Sequence, residues 1–332
     1  MTELAIFDDV LVAVDALPRD PACTRDAAGA LPAVAAATTA RSAGAGAPAT
    51  AGVAPPLVGA RRRGHHRAMP VSVRAAVADD HDAYVALFGE LGVADPPLAR
   101  EAWTARLGDA LVAAHGGAVV GYAITQRLVD TGYVRNIVVA PGARRAGVGR
   151  ALMDAIAARL RAAGMTAWCL NVKPDNRAAM ALYGACGLRH AFDSLSVTLP
   201  WSAVARLPAA PPGAHALEVL AADACAEAEA AMGLYPGLLA HAVGAGAWTP
   251  LALRRDGAVV GATRLATRNA CVFPLRVAEP GVAGALLRAV EPRAAPGPSI
   301  LVVVEDDVAL ERAVLDAGAT VLMRTAHLHG RL

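Results

Sequence analysis

The sequence predicts a mixed α/β fold. Two tandem domains are expected, each a central, twisted, mostly antiparallel sheet flanked by helices, behind a disordered N-terminal segment. Three observations predict it. Strand and helix patterns follow one another as β-α-α-β-β-β-α-β-α-β between Val71 and Pro200. The pattern then restarts: Gly117-Ala118-Val119-Val120-Gly121 recurs 140 residues later as Gly257-Ala258-Val259-Val260-Gly261. Residues 1–68 differ in texture, with Ala, Gly, Pro, Thr and Ser dominating from Pro18 to Pro56.

In residues 1–68 bulky apolar side chains are too sparse to offset the entropy of ordering. Only Leu4 to Leu17 has a pattern suited to a short strand or helix. Met69 directly precedes the first well-patterned segment and is an alternative start. From there the elements can be read in order. VSVRAAV alternates as a strand. Asp79 and Asp80 can cap a helix whose apolar face is Tyr84, Leu87, Phe88 and Leu91. Pro96-Pro97 breaks it, and Leu98 to Leu107 reads as a second helix. ALVAAH, Gly116-Gly117 and AVVGYAIT form a hairpin. Residues 133–140 are a strand stopped by Pro141-Gly142. Gly149 to Ala163 is a helix, with Leu152, Ile156 and Leu160 at four-residue spacing. Residues 166–172 are a strand, Asn176 to Cys186 a helix closed by Gly187, and residues 192–200 a last strand. Residues 69–203 make the first domain, the Pro-rich 204–213 a linker, and 214–332 the second domain.

The chain has 332 residues, of which 55 % are hydrophobic, enough for two cores. Aromatics are only 4 %, so those cores rest on Leu, Val, Ile and Ala. A net charge of +2 gives no strong field for nucleic acid or anionic lipid. The basic run Arg61 to Arg67 has no interleaved aromatics and reads as a solvated tail. No stretch reaches the roughly 18 apolar residues of a membrane span. The acidic start, MTELAIFDDV, lacks the basic flank of a secretory signal. A cytoplasmic protein with neither membrane nor nucleic-acid partner is expected. The five cysteines are widely spaced and read as reduced core thiols. His65-His66 and His327/His329 lack partners at ligand spacing, so no metal is expected.

The chemistry lies in RNIVVAPGARRAGVGRALM, residues 135–153. A strand ends, an Arg- and Gly-rich turn follows, and a helix begins. Successive N–H groups at such a turn form an anion nest, and the helix dipole adds to it. Gly147 and Gly149 let the backbone approach a ligand closely. Arg144, Arg145 and Arg150 add positive charge, so the turn suits a pyrophosphate. It has no Lys-Ser/Thr pair and is not a P-loop. Nor is R-x-x-G-x-G the G-x-G-x-x-G of a dinucleotide fold. Downstream, Leu170, Val172, Asn176, Ala179, Leu182, Tyr183, Gly187 and Leu188 complete a second pattern, L-x-V-x-x-x-N-x-x-A-x-x-L-Y-x-x-x-G-L.

At this separation the two motifs resemble the GNAT superfamily of acetyl-CoA-dependent N-acetyltransferases, over roughly Pro70 to Pro200. The resemblance implies acetyl-CoA as co-substrate, no metal, and a small-molecule or peptide amine as acceptor. It implies that Arg144, Arg145, Ala146, Gly147, Val148 and Gly149 hold the pyrophosphate, with Arg150 at the helix start. The backbone of Val138 and Val139 would pair with the pantetheine arm, and a splay from the strand at 167–172 would admit the thioester. Asn176 would contact the CoA arm and Tyr183 would sit near the sulfur. A free tyrosine, with pKa about 10, stays protonated at pH 7 and can donate to a departing thiolate. A backbone N–H of Val138 or Val139 would polarise the carbonyl. Holding the reactants together supplies about 7–11 kcal/mol, so no covalent intermediate is needed.

The general base departs from the family. Many relatives place Glu or Asp on the central strand, where this chain has Arg135 and Asn136. Asn136 is a candidate for ordering a water, and Glu90 or Glu101 are candidate bases. The second copy departs further. GVAGALLRAV at 281–290 matches GVGRALMDAI at 147–156, and ILVVVEDD at 300–307 matches CLNVKPDN at 169–176. Yet Val277 to Gly281 is four steps where Val139 to Gly147 is eight, and the arginines are gone. Asp307 stands for Asn176 and Val314 for Tyr183. This copy is expected to bind no acetyl-CoA and to shape the acceptor pocket, with Trp248, Tyr235 and His241 as candidates. Glu305-Asp306-Asp307 reads as a turn with capping acids. The rival to an enzyme is a non-catalytic acyl-CoA sensor on the same fold. A monomer or homodimer is expected, since the second copy can stand in for a partner.

Overall fold

The structure, a computed structural model, describes residues 70–92, 96–245, 247–266 and 269–332. The expectations for residues 1–68, for Met69 as a start and for Arg61 to Arg67 lie outside the described residues. β1 (Ser72–Ala75) leads to α1 (His81–Phe88) and α2 (Arg100–Ala105). Asp80 ties β1 to α1: its carboxylate pairs with Arg74 at 2.7 Å and accepts the Val77 N–H at 2.8 Å. The Arg74 hydrogen bond holds its pKa below the usual carboxylate range. α1 and α2 bury Tyr84, Phe88 and Trp103, and the Tyr84 and Trp103 rings stack at 4.6 Å.

β2 (Ala110–His115), β3 (Ala118–Arg127) and β4 (Thr131–Val139) form an antiparallel meander. Gly116 and Gly117, at φ 61° and 84°, make the hairpin turn. α3 (Val148–Ala162) crosses the face opposite α1, burying Leu152, Met153, Ile156 and Leu160. Each such side chain stabilises by about 1.5–3 kcal/mol relative to exposure. β5 (Ala167–Val172) and α4 (Arg177–Ala185) follow, and β6 (Arg189–Pro200) begins three residues before the expected strand.

The same order of elements runs on from the connector. β7 (His215–Val219) precedes the short α5 (Cys225–Ala231) and α6 (Ala242–Ala245). β8 (Trp248–Arg255) and β9 (Ala258–Ala266) make a hairpin, and β10 (Cys271–Val272) and β11 (Arg276–Val277) occupy the place of β4. α7 (Pro280–Val290), β12 (Ser299–Glu305), α8 (Val308–Asp316) and β13 (Thr320–Arg331) complete it. Local details recur as well. The bulge between Ala113 and Ala114 has its counterpart between Leu253 and Arg254. Ala140 N–H donates to Val120 and Ala278 N–H to Val260, both at 2.8 Å. Gly187 and Gly318 close their helices at φ 91° and 96°.

The thirteen strands of the described residues lie in one sheet, ordered β1-β2-β3-β4-β5-β13-β6-β12-β10-β9-β8-β7, with β11 on β9. The order shows an exchange that the sequence pattern did not suggest. β6 leaves β5 and pairs with β12, while β13 returns to pair with β5. β6 and β13 pair with each other in the middle. Cys169 and Cys225 are buried free thiols, Cys186 is a half-buried one, and Cys271 is buried as well. Among the described residues no helix is long and apolar enough to cross a membrane, and no group of three or more His, Cys, Asp or Glu is placed to hold a metal ion.

Candidate active site

β4 and β5 run parallel but pair only at Thr131–Ala167, Gly132–Trp168 and Tyr133–Cys169. Beyond Tyr133 they diverge. Against β3, the register slips between Ile124–Asn136 and Thr125–Val134, leaving Arg135 as the extra residue of a bulge. A bulge bends its strand, and this one lies just past the last β4–β5 pair. The result is a fork with the backbone of Val134 to Val139 along one arm.

A cavity of about 610 Å³ opens from the fork toward the start of α3. Of the residues named from sequence, Val138, Val139, Arg144, Arg145, Gly147, Gly149, Arg150, Asn176 and Tyr183 line it. Arg145 and Gly147, at φ 65° and 84°, are both left-handed, and Gly147 is the N-cap of α3. Left-handed residues alternating with ordinary ones turn successive N–H groups to one side, as an anion nest requires. A Cβ on Gly147 would meet nothing within 4 Å, so this glycine faces open space.

The remaining residues are placed differently. Ala146 is exposed at the crest of the turn and is not among the cavity-lining side chains. Val148 sends its side chain into the core beneath α3, which leaves only its N–H to face a ligand. Asn136 is buried on β4 outside the cavity lining, and its Nδ2 has no hydrogen-bond partner. Asn176 Oδ1 caps α4 by accepting the Ala179 N–H at 3.0 Å. Tyr183 is 1 % exposed on α4, with Leu182 and Ala179 beside it in the lining. Arg150 pairs with Asp154 at the surface.

Glu90, named as a candidate base, also lines the cavity, where its Oε2 accepts from Arg144 Nη2 at 3.0 Å. Glu101 lies on α2, exposed and outside the lining.

The equivalent region of the second half is closed. Leu275 N–H still donates to Val303 O at 2.7 Å, at the level where β4 has already left β5. A Cβ on Gly281, the match of Gly147, would collide with the carbonyl of Ala209, because the connector lies across the start of α7.

Strand exchange builds a second polar region, on the face of the sheet that carries α1. Here Tyr133 of β4, Asn171 of β5, His327 of β13 and Tyr235 form one hydrogen-bonded chain. Asn171 Nδ2 donates to the Tyr133 hydroxyl at 2.7 Å, and His327 Nδ1 lies 2.7 Å from Asn171 Oδ1. His327 Nε2 lies 3.0 Å from the Tyr235 hydroxyl. Burial pushes the His327 pKa down to about 3, with the charges of His329, Arg276, His190 and Arg135 adding to the effect. The ring is therefore neutral; Nδ1–H donates to Asn171, and Nε2 accepts from Tyr235. Phe192 stacks on it at 4.3 Å. Tyr235 thus joins this network, Trp248 packs into the core over Arg264, and His241 is exposed. Glu305 corrects the capping expectation. Only Asp307 caps, through Leu310 N–H at 2.8 Å, while Glu305 ends β12 as a buried carboxylate.

A parallel fork, a left-handed nest at a helix start and a cleft-facing tyrosine come together in this half, and residues 77–188 match the acetyltransferase (GNAT) family. This segment is a GNAT acetyltransferase domain. [Ribosomal protein bS18]-alanine N-acetyltransferase of Escherichia coli (strain K12) is 37 % identical over 75 residues, 23 % of this chain and 51 % of that protein. The chain spans about half the length of the curated relatives it matches. A GCN5-related N-acetyltransferase from Sphaerobacter thermophilus aligns with TM-score 0.54 and 18 % identity, over 79 % of this chain and 96 % of that one. A tandem GNAT protein from the clavulanic acid biosynthesis pathway aligns with TM-score 0.52 and 20 % identity, over 79 % and 98 %. At these identities the likeness is one of fold.

Proposed function

We propose that the protein is an acetyl-CoA-dependent N-acetyltransferase acting on a primary amine of a small molecule or peptide. One observation carries this reading: a single cavity joins the open fork, the Arg145–Gly147 nest and the Tyr183 side chain. The donor set fits a diphosphate followed by an extended arm. The nest and Arg144, Arg145 and Arg150 take the phosphates, Asn176 lies beside the arm, and the open arm of β4 offers backbone groups to it. Alternation along β4 selects which ones. Ala140 N–H is bonded to β3, so Val138 N–H faces β3 too, and Val139 N–H faces the fork. Val139 N–H is the donor placed for the thioester carbonyl.

The step is a direct displacement. The neutral amine nitrogen bonds to the acetyl carbon, the carbon–sulfur bond breaks, and the thiolate takes a proton from the Tyr183 hydroxyl. The nitrogen gives up one proton in becoming an amide. Because Arg135 and Asn136 replace the strand carboxylate, that proton leaves through Asn136-bound water to solvent, and solvent returns one to the Tyr183 phenolate, so the products are amide, thiol and neutral tyrosine. An acceptor whose amine is already neutral needs no earlier deprotonation. We further infer that residues 69–203 are the catalytic domain, 204–213 the linker and 214–332 a degenerate second copy. The name of the Escherichia coli relative, a [ribosomal protein bS18]-alanine N-acetyltransferase, supports including a protein alanine among the candidate acceptors. A thiol-release assay over an amine panel, run beside calorimetry with coenzyme A, tests the reading. Turnover with any amine supports it. Coenzyme A heat without turnover on the whole panel would favour the sensor, which the missing strand carboxylate suggests.

A further inference from the structure

The face of the sheet that carries α1 holds, besides Asn136, polar groups that the displacement step does not use, and strand register shows that they share it. Tyr133 pairs with Gln126 and with Cys169, Asn171 with His327, His327 with Phe192, and Glu305 with Ser194. Arg276 pairs with Ala262, two residues before Arg264 on β9. Paired residues lie on one face and alternation carries that face along each strand. Strands of both halves therefore present these side chains to one region beside the fork.

That region is nearly dry. Exposure is 2 % for Arg135, 4 % for Gln126, 7 % for Asn136, 0 % for Arg264 and 6 % for Glu305. Arg135 donates to Gln126 Oε1 through Nε at 2.6 Å and also through Nη2, and lies 4.1 Å over the Tyr133 ring. Half-buried Arg276 sits over the Phe192 ring at the solvent edge. Three buried atoms on this face have no hydrogen-bond partner: Gln126 Nε2, Asn136 Nδ2 and Arg276 Nε. All three are donors. A buried unpaired donor is costly unless something supplies an acceptor. The carboxylate of Glu305 lies in the same region, its pKa raised by burial against the pull of Arg276, Arg264 and Arg135. Vacant donors, guanidiniums and a carboxylate gathered in one region offer both signs of charge to a zwitterion.

We propose that this face binds the amine acceptor and that the acceptor bears a carboxylate close to its amine. The inference rests on the acetyltransferase reading and narrows its acceptor to amino acids and their relatives. The carboxylate oxygens take the donors of Arg276, Gln126 and Asn136, and Glu305 faces the ammonium. Asn136 and Tyr133 stand on the β4 arm of the fork, so an amine held here is directed at the thioester on the other side of it. The second half would supply Arg276, Glu305, Tyr235 and His327, making its role one of acceptor recognition.

The test compares amino acids with their amides and with the matching decarboxylated amines as acceptors for acetyl-CoA, in thiol release. Calorimetry with coenzyme A runs alongside, on the full chain and on Arg276→Gln and Arg276→Lys. The expected result is kcat/KM roughly 100-fold or more higher for the acids, since a site built to bond a polar group rejects analogues lacking it. That ratio should fall toward one in R276Q and recover in part in R276K. Equal rates for acids and amides, a ratio unmoved by R276Q, or no turnover of any acid would overturn the proposal. Coenzyme A heat separates the two failures: if it persists, only the acceptor assignment falls, and if it is absent, the acetyltransferase reading falls with it.

Discussion

Arg144 and Glu90 face each other across the cleft, Nη2 to Oε2 at 3.0 Å, with both side chains about one-third exposed. A diphosphate that binds Arg144 must compete with that carboxylate. Glu90→Gln removes the charge and keeps the shape. Partly exposed pairs are worth about 0.2–1 kcal/mol, so coenzyme A should bind about 1.4- to 5-fold more tightly to the variant in low-salt calorimetry. Equal or weaker binding would show that the pair is not in competition with the ligand.

Gly147→Ala tests the nest. At φ 84° an alanine costs about 1–2 kcal/mol of backbone strain, and its methyl projects into open space. The melting temperature should drop by a few degrees while KM for acetyl-CoA rises about 10-fold. A drop in stability with KM unchanged would remove this turn from the ligand.

Tyr183→Phe removes one hydroxyl from a ring that is otherwise packed in the core. If that hydroxyl protonates the thiolate, kcat falls about 100-fold, within the range for general acids, with KM for acetyl-CoA nearly constant. A change confined to KM would assign the ring to packing or binding alone.

His327 gives the fold an acid-sensitive point. Its pKa is about 3 in the folded chain, against about 6.5 in an unfolded one. Between those values the unfolded chain binds a proton that the folded chain excludes. Stability therefore falls as pH drops from 6.5 toward 3, by up to about 1.4 kcal/mol per pH unit, and is unaffected above 6.5. Melting temperatures from pH 7 to 4 should slope less steeply for His327→Gln than for the parent protein. Parallel slopes would refute the assignment.

Coenzyme A should bind once per chain. The Leu275–Val303 hydrogen bond shuts the second fork, and Ala209 covers Gly281. A calorimetric stoichiometry of two would contradict this.

Much of this was legible because it is written locally. The hairpin glycines, the four-residue spacing of Leu152, Ile156 and Leu160, and the Arg/Gly turn each depend on neighbours in sequence. The strand exchange does not: β6 and β13 are alternating strands that would pair acceptably with either β5 or β12, and only the tertiary fit decides. The fork depends on Arg135 being a bulge residue, and no sequence rule separates an extra residue in a strand from an ordinary one. Glu305 departs from the capping expectation for a related reason. Its two acidic followers suggest a cap, yet the alternation of β12 carries it one position further inward. The Arg144–Glu90 pair joins elements 54 residues apart, beyond the reach of any spacing argument.

The exchange also sets an order on biosynthesis. β13 (Thr320–Arg331) follows α8 in the second half, yet it pairs with β5, one arm of the fork in the N-terminal half. A nascent chain that has emerged only as far as α8 leaves β5 without that neighbour, so the cleft is finished only once β13 is also out of the ribosome. A stop codon in the final exposed turn, at Gly318, would leave β5 without its neighbour and damage a site encoded almost 150 codons upstream.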